Sequence, residues 1–178
     1  MENKNQILKF IRPNLVPVII LLLIPFIGTF FGLIILLAKT IPSWSRANKS
    51  IAALENKGEL DQAAAEFSFP AKILMKGNLV LTEHYVFCKK TGIVLSYDQI
   101  QWAYKYRHTT SFLLIPIVVQ DYLYLATKDM KPRGVAVMGK DKNEEIKAAI
   151  IEIYNHNRNC LIGYSKENTA QYKVLAKQ

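Results

Sequence analysis

The sequence predicts an α+β fold for this 178-residue chain. The parts are a single transmembrane helix, a juxtamembrane helical hairpin, an antiparallel β-sheet or small barrel closed by a carboxyl-terminal helix, and a short terminal helix. Three observations predict this fold class. Residues 15–38 carry no charge, and 19 of these 24 residues are apolar. Short apolar runs alternate with turn-forming residues from position 72 to 138, and residues 143–156 repeat apolar side chains at helical spacing.

The uncharged segment 15–38 is interpreted as a transmembrane helix that follows an amino-terminal tail, residues 1–14. At about 1.5 Å per residue it extends about 36 Å, which spans a hydrocarbon core about 30 Å thick. Its length argues against a cleaved signal peptide. Gly28 and Gly32 form a Gly-x-x-x-Gly pair, a spacing that lets two helices approach closely and is compatible with a homodimer. The interpretation favoured over dimerisation is that the pair arises by chance or only bends the helix near Pro25.

Residues 39–70 are predicted to form the juxtamembrane helical hairpin. Ile51 and Leu54 mark one face of its first helix. Gly58 stands where a left-handed helix stop is needed, and apolar residues then repeat with the spacing of a second helix. Pro70 ends the hairpin because proline cannot continue a helix.

Residues 71–157 are predicted to form a β domain with a carboxyl-terminal helix, because many short strands at close spacing are typical of antiparallel sheets. The strand-like runs are residues 73–75, 79–81, 85–88, 93–95, 101–106, 112–119, 122–127 and 135–138. Asp141 is expected to cap the helix over 143–156. Residues 158–178 form a tail with a brief strand and a final helix capped by Ser165.

Three segments of this domain carry a resemblance to a known family. They are the run Leu79–Phe87 with its Leu-Thr-x-x-Tyr pattern, the Tyr-Asp-x-Ile pattern within Ser96–Ile100, and the strand Trp102–Tyr104. This part of the chain resembles the pleckstrin-homology-like (PH-like) domains of bacterial membrane proteins. The resemblance implies that the domain lies on the cytoplasmic side of the cell membrane. It implies no single activity, because the family has none.

The net charge of +9 is concentrated in two regions of the chain. Residues 1–46 carry +4 and residues 71–142 carry +6, so the excess lies near the predicted membrane helix and in the β domain. A basic surface of this kind predicts binding to an anionic lipid or an acidic protein partner, although a solvated basic face serves solubility equally well. The residues expected to contribute are Lys89, Lys90, Lys128, Lys131, Arg133 and Lys140.

The sequence shows no support for catalysis, a metal or a cofactor. His84, His108 and His156 lack partners at metal-ligand spacing. Cys88 and Cys160 stand in apolar contexts that suit buried thiols, and two cysteines are too few for a disulfide scaffold. A Cys88-centred active site with His84 is the remaining enzymatic alternative, without an orienting third group.

Nucleic-acid binding is not expected either. Trp102, Tyr104 and Tyr106 alternate along the chain as a strand does and do not predict a stacking platform. The prediction is therefore a non-catalytic, membrane-anchored binding or scaffolding module at the cytoplasmic membrane face. A sensor of anionic lipid headgroups that uses the basic hairpins is the alternative.

Overall fold

The structure, a computed structural model, describes residues 2–11, 16, 19–20, 41–112, 115–128, 130–137 and 143–176. Three helices of the described residues precede the first strand, and they are α1 (Glu2–Ile11), α2 (Ile41–Lys57) and α3 (Leu60–Ser68). The helix pair α2 and α3 lies where the hairpin was predicted. Gly58 separates the two helices with a φ of 72°, a left-handed conformation that glycine adopts without steric cost.

The chain divides into two compact units. The first contains Met1–Phe69 and Phe87–Val94, and the second contains Pro70–Val86 and Leu95–Gln178. In the first unit α1 packs against α2 and α3. The Lys4 ammonium lies 2.6 Å from the Glu55 carboxylate. The ring centroids of Phe10 and Phe67 are 5.0 Å apart, so residues expected only as a tail contribute packing to this unit.

In the part of the chain that the structure describes, eight strands form two four-stranded sheets, instead of the antiparallel sheet or small barrel that was predicted. The first sheet has the order β1-β2-β3-β4, and the second has the order β7-β6-β5-β8. The second sheet is mixed, because β8 pairs with β5 in parallel. The strands are β1 (Lys72–Leu74), β2 (Leu79–Leu81), β3 (Tyr85–Cys88), β4 (Ile93–Ser96), β5 (Ile100–Phe112), β6 (Ile115–Thr127), β7 (Met130–Val137) and β8 (Leu161–Ile162).

The strand β6 is one continuous element of 13 residues, whereas the sequence pattern indicated two runs on either side of Gln120 and Asp121. This polar pair was wrongly interpreted as an interruption. Asp121 remains inside the ladder because its carboxylate accepts a hydrogen bond from Arg107 Nε at 2.9 Å and lies 3.2 Å from Lys105 Nζ, both on β5. Cross-strand pairs of opposite charge stabilise antiparallel strands.

Helix α4 (Asn143–His156) covers one face of the second sheet. Its residues Ile146, Ala149 and Ile153 are fully buried, as the helical spacing predicted. Leu123 and Leu125 of β6 are buried in the same unit. The expected Asp141 cap lies outside the described residues.

A tight turn between β1 and β2 places two non-glycine residues in the left-handed region. Met75 and Lys76 have φ values of 56° and 54°, and Gly77 follows with 76°. The Glu145 carboxylate of α4 accepts a hydrogen bond from the Met75 backbone N–H at 2.6 Å, and the Asn78 side chain donates to the Met75 carbonyl at 2.8 Å. These bonds offset the strain of a conformation that costs roughly 1–2 kcal/mol per non-glycine residue.

The last helix, α5 (Lys166–Leu175), begins as predicted. The Ser165 hydroxyl accepts a hydrogen bond from the Asn168 backbone N–H at 3.0 Å, which satisfies one of the free donors at the helix start. Asn168 also donates to the carbonyls of Ile162 and Gly163 at 2.9 and 3.0 Å. The helix start is thereby fixed to the end of β8.

The prediction of a single-pass membrane protein is corrected by the structure. Within the described part of the chain, none of the helices has the length and apolar character that a bilayer crossing requires. The helix α2 has 17 residues and carries charged side chains such as Arg46, whereas a span needs about 20 mostly apolar residues. Most of the segment 15–38, including Gly28 and Gly32, lies outside the described residues. The predicted cell-membrane localisation is corrected with it.

Candidate functional site

One face of the second sheet is covered with aromatic side chains. Every second residue of a strand points to the same face, so Trp102, Tyr104 and Tyr106 of β5 lie on one side. Tyr104 is directly opposite Tyr124 of β6, and Tyr106 is opposite Tyr122. The strand register therefore brings five aromatic rings together from two neighbouring strands.

These rings pack against one another. The ring centroids of Trp102 and Tyr104 are 4.2 Å apart, and those of Tyr104 and Tyr124 are 5.4 Å apart with an interplanar angle of 17°. Tyr106 meets Tyr124 edge-on at 5.5 Å and 72°. Offset stacks and edge-to-face contacts are the arrangements that aromatic rings prefer. The ring faces are thus largely occupied by neighbouring rings.

The carboxyl-terminal segment adds two further tyrosines to this face. The indole N–H of Trp102 donates to the Gly163 carbonyl at 2.8 Å, and Tyr164 follows with its ring 5.9 Å from Trp102 at 12°. Tyr172 of α5 lies 5.4 Å from Trp102, and its hydroxyl donates to the Thr127 carbonyl at 2.8 Å. One indole therefore holds both the end of β8 and the helix α5 on the sheet.

We call this surface the aromatic face, and it consists of Trp102, Tyr104, Tyr106, Tyr122, Tyr124, Tyr164 and Tyr172. The exposure of its side chains to solvent differs widely. Trp102 and Tyr104 are 3% and 6% exposed, whereas Tyr106 and Tyr164 are 40% and 63% exposed. The face thus has a rigid buried base and an open rim of two tyrosines.

Three phenols of the aromatic face are neutral over the physiological pH range. Burial, followed by the neighbouring tyrosines, raises the pKa of Tyr104 to about 12. Burial is also the main cause that raises the pKa of Tyr124 and of Tyr172. All three phenols therefore keep their protons.

The opposite face of the same strands carries an ion cluster. Asp121 accepts hydrogen bonds from Arg107 at 2.9 and 3.3 Å and lies 3.2 Å from the Lys105 ammonium. The Arg107 hydrogen bond is the main cause that lowers the pKa of the Asp121 carboxyl. Lys105 also contacts the Asn143 side chain at the start of α4. These charges join β5 to β6 and to α4.

The six basic residues predicted to bind lipid or an acidic partner are described only in part. The three with described, exposed side chains are Lys89, Lys90 and Lys128. Lys89 Nζ lies 5.6 Å from the Phe10 ring centroid within the first unit. Lys131 and Arg133 belong to β7, where the structure describes only their backbone. Lys140 lies outside the described residues. Their role stays a prediction.

Neither cysteine has the environment of a nucleophile. Cys88 is fully buried, and this burial raises the pKa of its thiol to about 12, although a Thr91 hydrogen bond opposes the shift. Cys160 is 4% exposed, and burial raises the pKa of its thiol to about 12 as well. The reactive species is the thiolate, which is scarce at neutral pH in both places.

The histidines do not gather into a metal site. Among the described residues, no three His, Cys, Asp or Glu side chains lie close enough to hold a metal ion. His156 at the end of α4 stacks on Tyr97 with a centroid distance of 4.2 Å, and its Nδ1 lies 2.9 Å from the Glu152 carbonyl oxygen. Its position is explained by packing and by the partial negative charge at a helix carboxyl end.

Sequence reasoning missed the aromatic face as a site. The alternation of Trp102, Tyr104 and Tyr106 was recognised only as a sign of a strand. The available signal was the second alternation in β6, at Tyr122 and Tyr124, because two aromatic strands paired in register create one aromatic surface. The contribution of the distant carboxyl-terminal tyrosines had no local signal.

Comparisons with known proteins found no matching family model, no matching curated protein and no matching solved structure. The resemblance to PH-like domains accordingly stays a prediction that rests on short sequence patterns.

Proposed function

We propose that this chain is a non-catalytic binding module and that the aromatic face is its binding surface. The observation that carries the proposal is the contiguous set of seven aromatic rings with an open rim at Tyr106 and Tyr164, which are 40% and 63% exposed. Tyrosine and tryptophan are enriched at protein interfaces, where they supply large contact areas with little loss of side-chain freedom. The buried, protonated thiols of Cys88 and Cys160 favour a binding role over nucleophilic catalysis.

The arrangement of the rings favours a peptide over a nucleic-acid base. A base stacks on a free ring face, but the faces of Tyr104 and Tyr124 are taken by neighbouring rings. The ring edges and the exposed rim tyrosines Tyr106 and Tyr164 remain for the ligand. An extended peptide presents apolar side chains to the clefts between ring edges and backbone carbonyls to phenol donors, as proline-rich peptides do on aromatic grooves.

The charge of the chain indicates which peptides bind best. The net charge is +9, while the phenols of Tyr104, Tyr124 and Tyr172 are neutral. A long-range positive potential attracts acidic partners and speeds their association. The proposed partner is therefore a protein with an extended, proline-containing or aromatic segment flanked by acidic residues.

A peptide-display selection with measured affinities tests this proposal. A library of random dodecapeptides is selected on the purified full chain, and the enriched peptides are synthesised with a fluorophore for anisotropy titrations. The test variant is the double substitution Tyr106→Ser with Tyr164→Ser. The matched control is Tyr154→Ser, because Tyr154 is 39% exposed but belongs to α4 and not to the aromatic face.

We expect the double variant to bind the selected peptides at least about tenfold more weakly, since interface aromatics that act as hot spots contribute about 2 kcal/mol or more each. The control variant should bind them as the native chain does. Failure to enrich any peptide, or equal affinity of the double variant and the native chain, would overturn the proposal.

The alternative function as an anionic-lipid sensor is distinguished in the same series. Vesicles of phosphatidylcholine with and without phosphatidylglycerol are titrated with the chain and with a variant in which Lys128, Lys131 and Arg133 are replaced by Ala. Binding that needs phosphatidylglycerol and these basic residues, together with no peptide binding, would favour the lipid-sensor function. Peptide binding without a preference for phosphatidylglycerol is the result that the binding-module proposal predicts.

A further inference from the structure

A second concave surface lies in the same unit but outside the aromatic face. It is a groove of about 700 Å³ between α4, the segment that follows it, β8 and α5. Ligand pockets usually measure about 300–1,000 Å³ and are mostly apolar. The apolar wall of the groove is formed by Ile150, Ile151, Leu161, Ile162 and Leu175.

This wall is unusually open for apolar side chains. Ile151 is 59% exposed and Ile162 is 37% exposed, although Ile151 has the buried neighbours Ala149 and Ile153 on its own helix. Leu161 is half-buried and belongs to the strand that pairs with Trp102 of β5. A concave apolar surface built on a strand and two helices is preformed, so a ligand does not have to organise it.

A single cation stands among the lining residues of the groove. The guanidinium carbon of Arg158 lies 4.7 Å from the centroid of the Tyr154 ring, and both residues line the groove. This cation–π contact holds the guanidinium in place. The remaining polar side chains in the lining are neutral, namely Asn159 and Gln171, and no acidic residue is part of it. None of the described carboxylates forms an ion pair with Arg158.

The groove also contains a thiol, which does not point to covalent chemistry. Cys160 is 4% exposed, and its Sγ donates to the Leu161 carbonyl at 3.5 Å. A thiol that is buried in this way is a poor nucleophile. A ligand of the groove is therefore held by apolar contact and by charge.

We infer that this groove binds an amphipathic anion, with an aliphatic chain along the isoleucine and leucine wall and a carboxylate at Arg158. The planar guanidinium matches a carboxylate with two parallel hydrogen bonds. The apolar wall matches the aliphatic chain. The inference does not depend on the proposed function of the aromatic face, because the two sites share no residue.

Calorimetric titrations of the full chain with octanoate, decanoate and 1-decanol test the inference. Decanoate should bind about fourfold more tightly than octanoate. A fully buried CH₂ group contributes a factor of about four, and an open groove covers about half of each of the two additional groups. Decanoate should also bind about tenfold more tightly than 1-decanol, because the alcohol lacks the charge-assisted hydrogen bond.

Three variants assign the binding to the groove. Arg158→Gln should weaken decanoate about tenfold and leave 1-decanol unchanged, whereas Arg158→Lys should lose less. Ile151→Ser should weaken both ligands. Lys173→Gln is the matched control, because Lys173 is an exposed cation of α5 outside the groove lining, and it should change neither. Circular dichroism of each variant verifies the fold, which these exposed positions are expected to preserve.

The inference is overturned by any of three results. The first is the absence of decanoate binding at millimolar concentration. The second is equal affinity for decanoate and 1-decanol. The third is that Arg158 makes no specific contribution to the affinity for decanoate. This would be shown by an Arg158→Gln variant that binds decanoate as the native chain does, or by a Lys173→Gln variant that loses as much affinity as Arg158→Gln.

Discussion

Tyr172 attaches α5 to the second sheet through two contacts, whose contributions to stability can be separated by substitution. The Tyr172 hydroxyl donates to the Thr127 carbonyl at 2.8 Å, and the Tyr172 ring packs 5.4 Å from Trp102. The substitution Tyr172→Phe removes the hydrogen bond and keeps the ring. A partly buried hydrogen bond of this type contributes about 1 kcal/mol to the free energy of unfolding.

The substitution Tyr172→Ala removes the ring as well. A tyrosine buries roughly 150–250 Å² when fully packed, and Tyr172 is half-buried. Half of that area at about 25 cal/mol per Å² gives about 2–3 kcal/mol. We therefore expect Tyr172→Ala to lower the free energy of unfolding by about 3–4 kcal/mol in total, and Tyr172→Phe by about 1 kcal/mol.

Urea unfolding followed by tryptophan fluorescence measures both variants. A Trp44→Phe background leaves Trp102, which contacts Tyr172, as the fluorescent reporter. Thermal unfolding should show Tyr172→Phe melting about 2–4 °C below the native chain, the shift expected for about 1 kcal/mol in a chain of this size. A Tyr172→Ala variant as stable as the native chain would refute the view that this tyrosine holds α5 on the sheet.

Three further predictions follow from the described geometry. Lys76→Gly should raise the free energy of unfolding, measured in urea, by about 0.5–1 kcal/mol, because the φ of 54° at Lys76 suits glycine better than lysine. The control Lys147→Gly within α4 should lower it by about 1 kcal/mol. The raised pKa of Tyr104 contributes stability that is fully present below the ordinary tyrosine pKa of about 10 and is lost as the pH rises toward 12. Tyr104→Phe should therefore flatten the dependence of the free energy of unfolding on pH in the alkaline range. The lowered pKa of Asp121 contributes stability that is present above the ordinary aspartate pKa and is lost as the pH falls through the folded value. Asp121→Asn should therefore flatten the dependence of the free energy of unfolding on pH in the acid range. An unchanged acid range would contradict the stabilising role of the ion cluster.

Local signals predicted the helical parts of the fold well. The spacing of Ile146, Ala149 and Ile153 identified the buried face of α4, and Ser165 identified the start of α5, because both signals involve residues within one or two turns. Gly58 likewise separated α2 from α3. Such features depend on neighbouring residues, which the sequence displays directly.

Features that depend on pairing between distant segments were predicted poorly. Asp121 resembled a turn residue until its partners on β5 were known, so β6 was divided into two runs. The parallel pairing of β8 had no local signal either. A strong uncharged run led to the prediction of a transmembrane protein, which the described helices do not support.

The candidate site shows the same limit. Trp102, Tyr104 and Tyr106 identified a strand, but an aromatic surface exists only when β6 pairs with β5 in the register Tyr104 opposite Tyr124. Tyr164 and Tyr172 join it through hydrogen bonds of the carboxyl-terminal segment, which composition does not reveal. The charge pattern instead pointed to basic residues such as Lys89 and Lys128, whose role stays a prediction.

The most direct test of the binding-module account is an NMR titration of the chain, with isotope-labelled tyrosine rings, against a peptide selected on it. The account predicts that the ring signals of Tyr106, Tyr164 and Tyr104 shift together with one saturation curve. The signals of Tyr97 and Tyr154, which lie outside the aromatic face, should stay unchanged. Shifts confined to Tyr97 or Tyr154, with the Tyr106 and Tyr164 signals unmoved at saturation, would contradict the account.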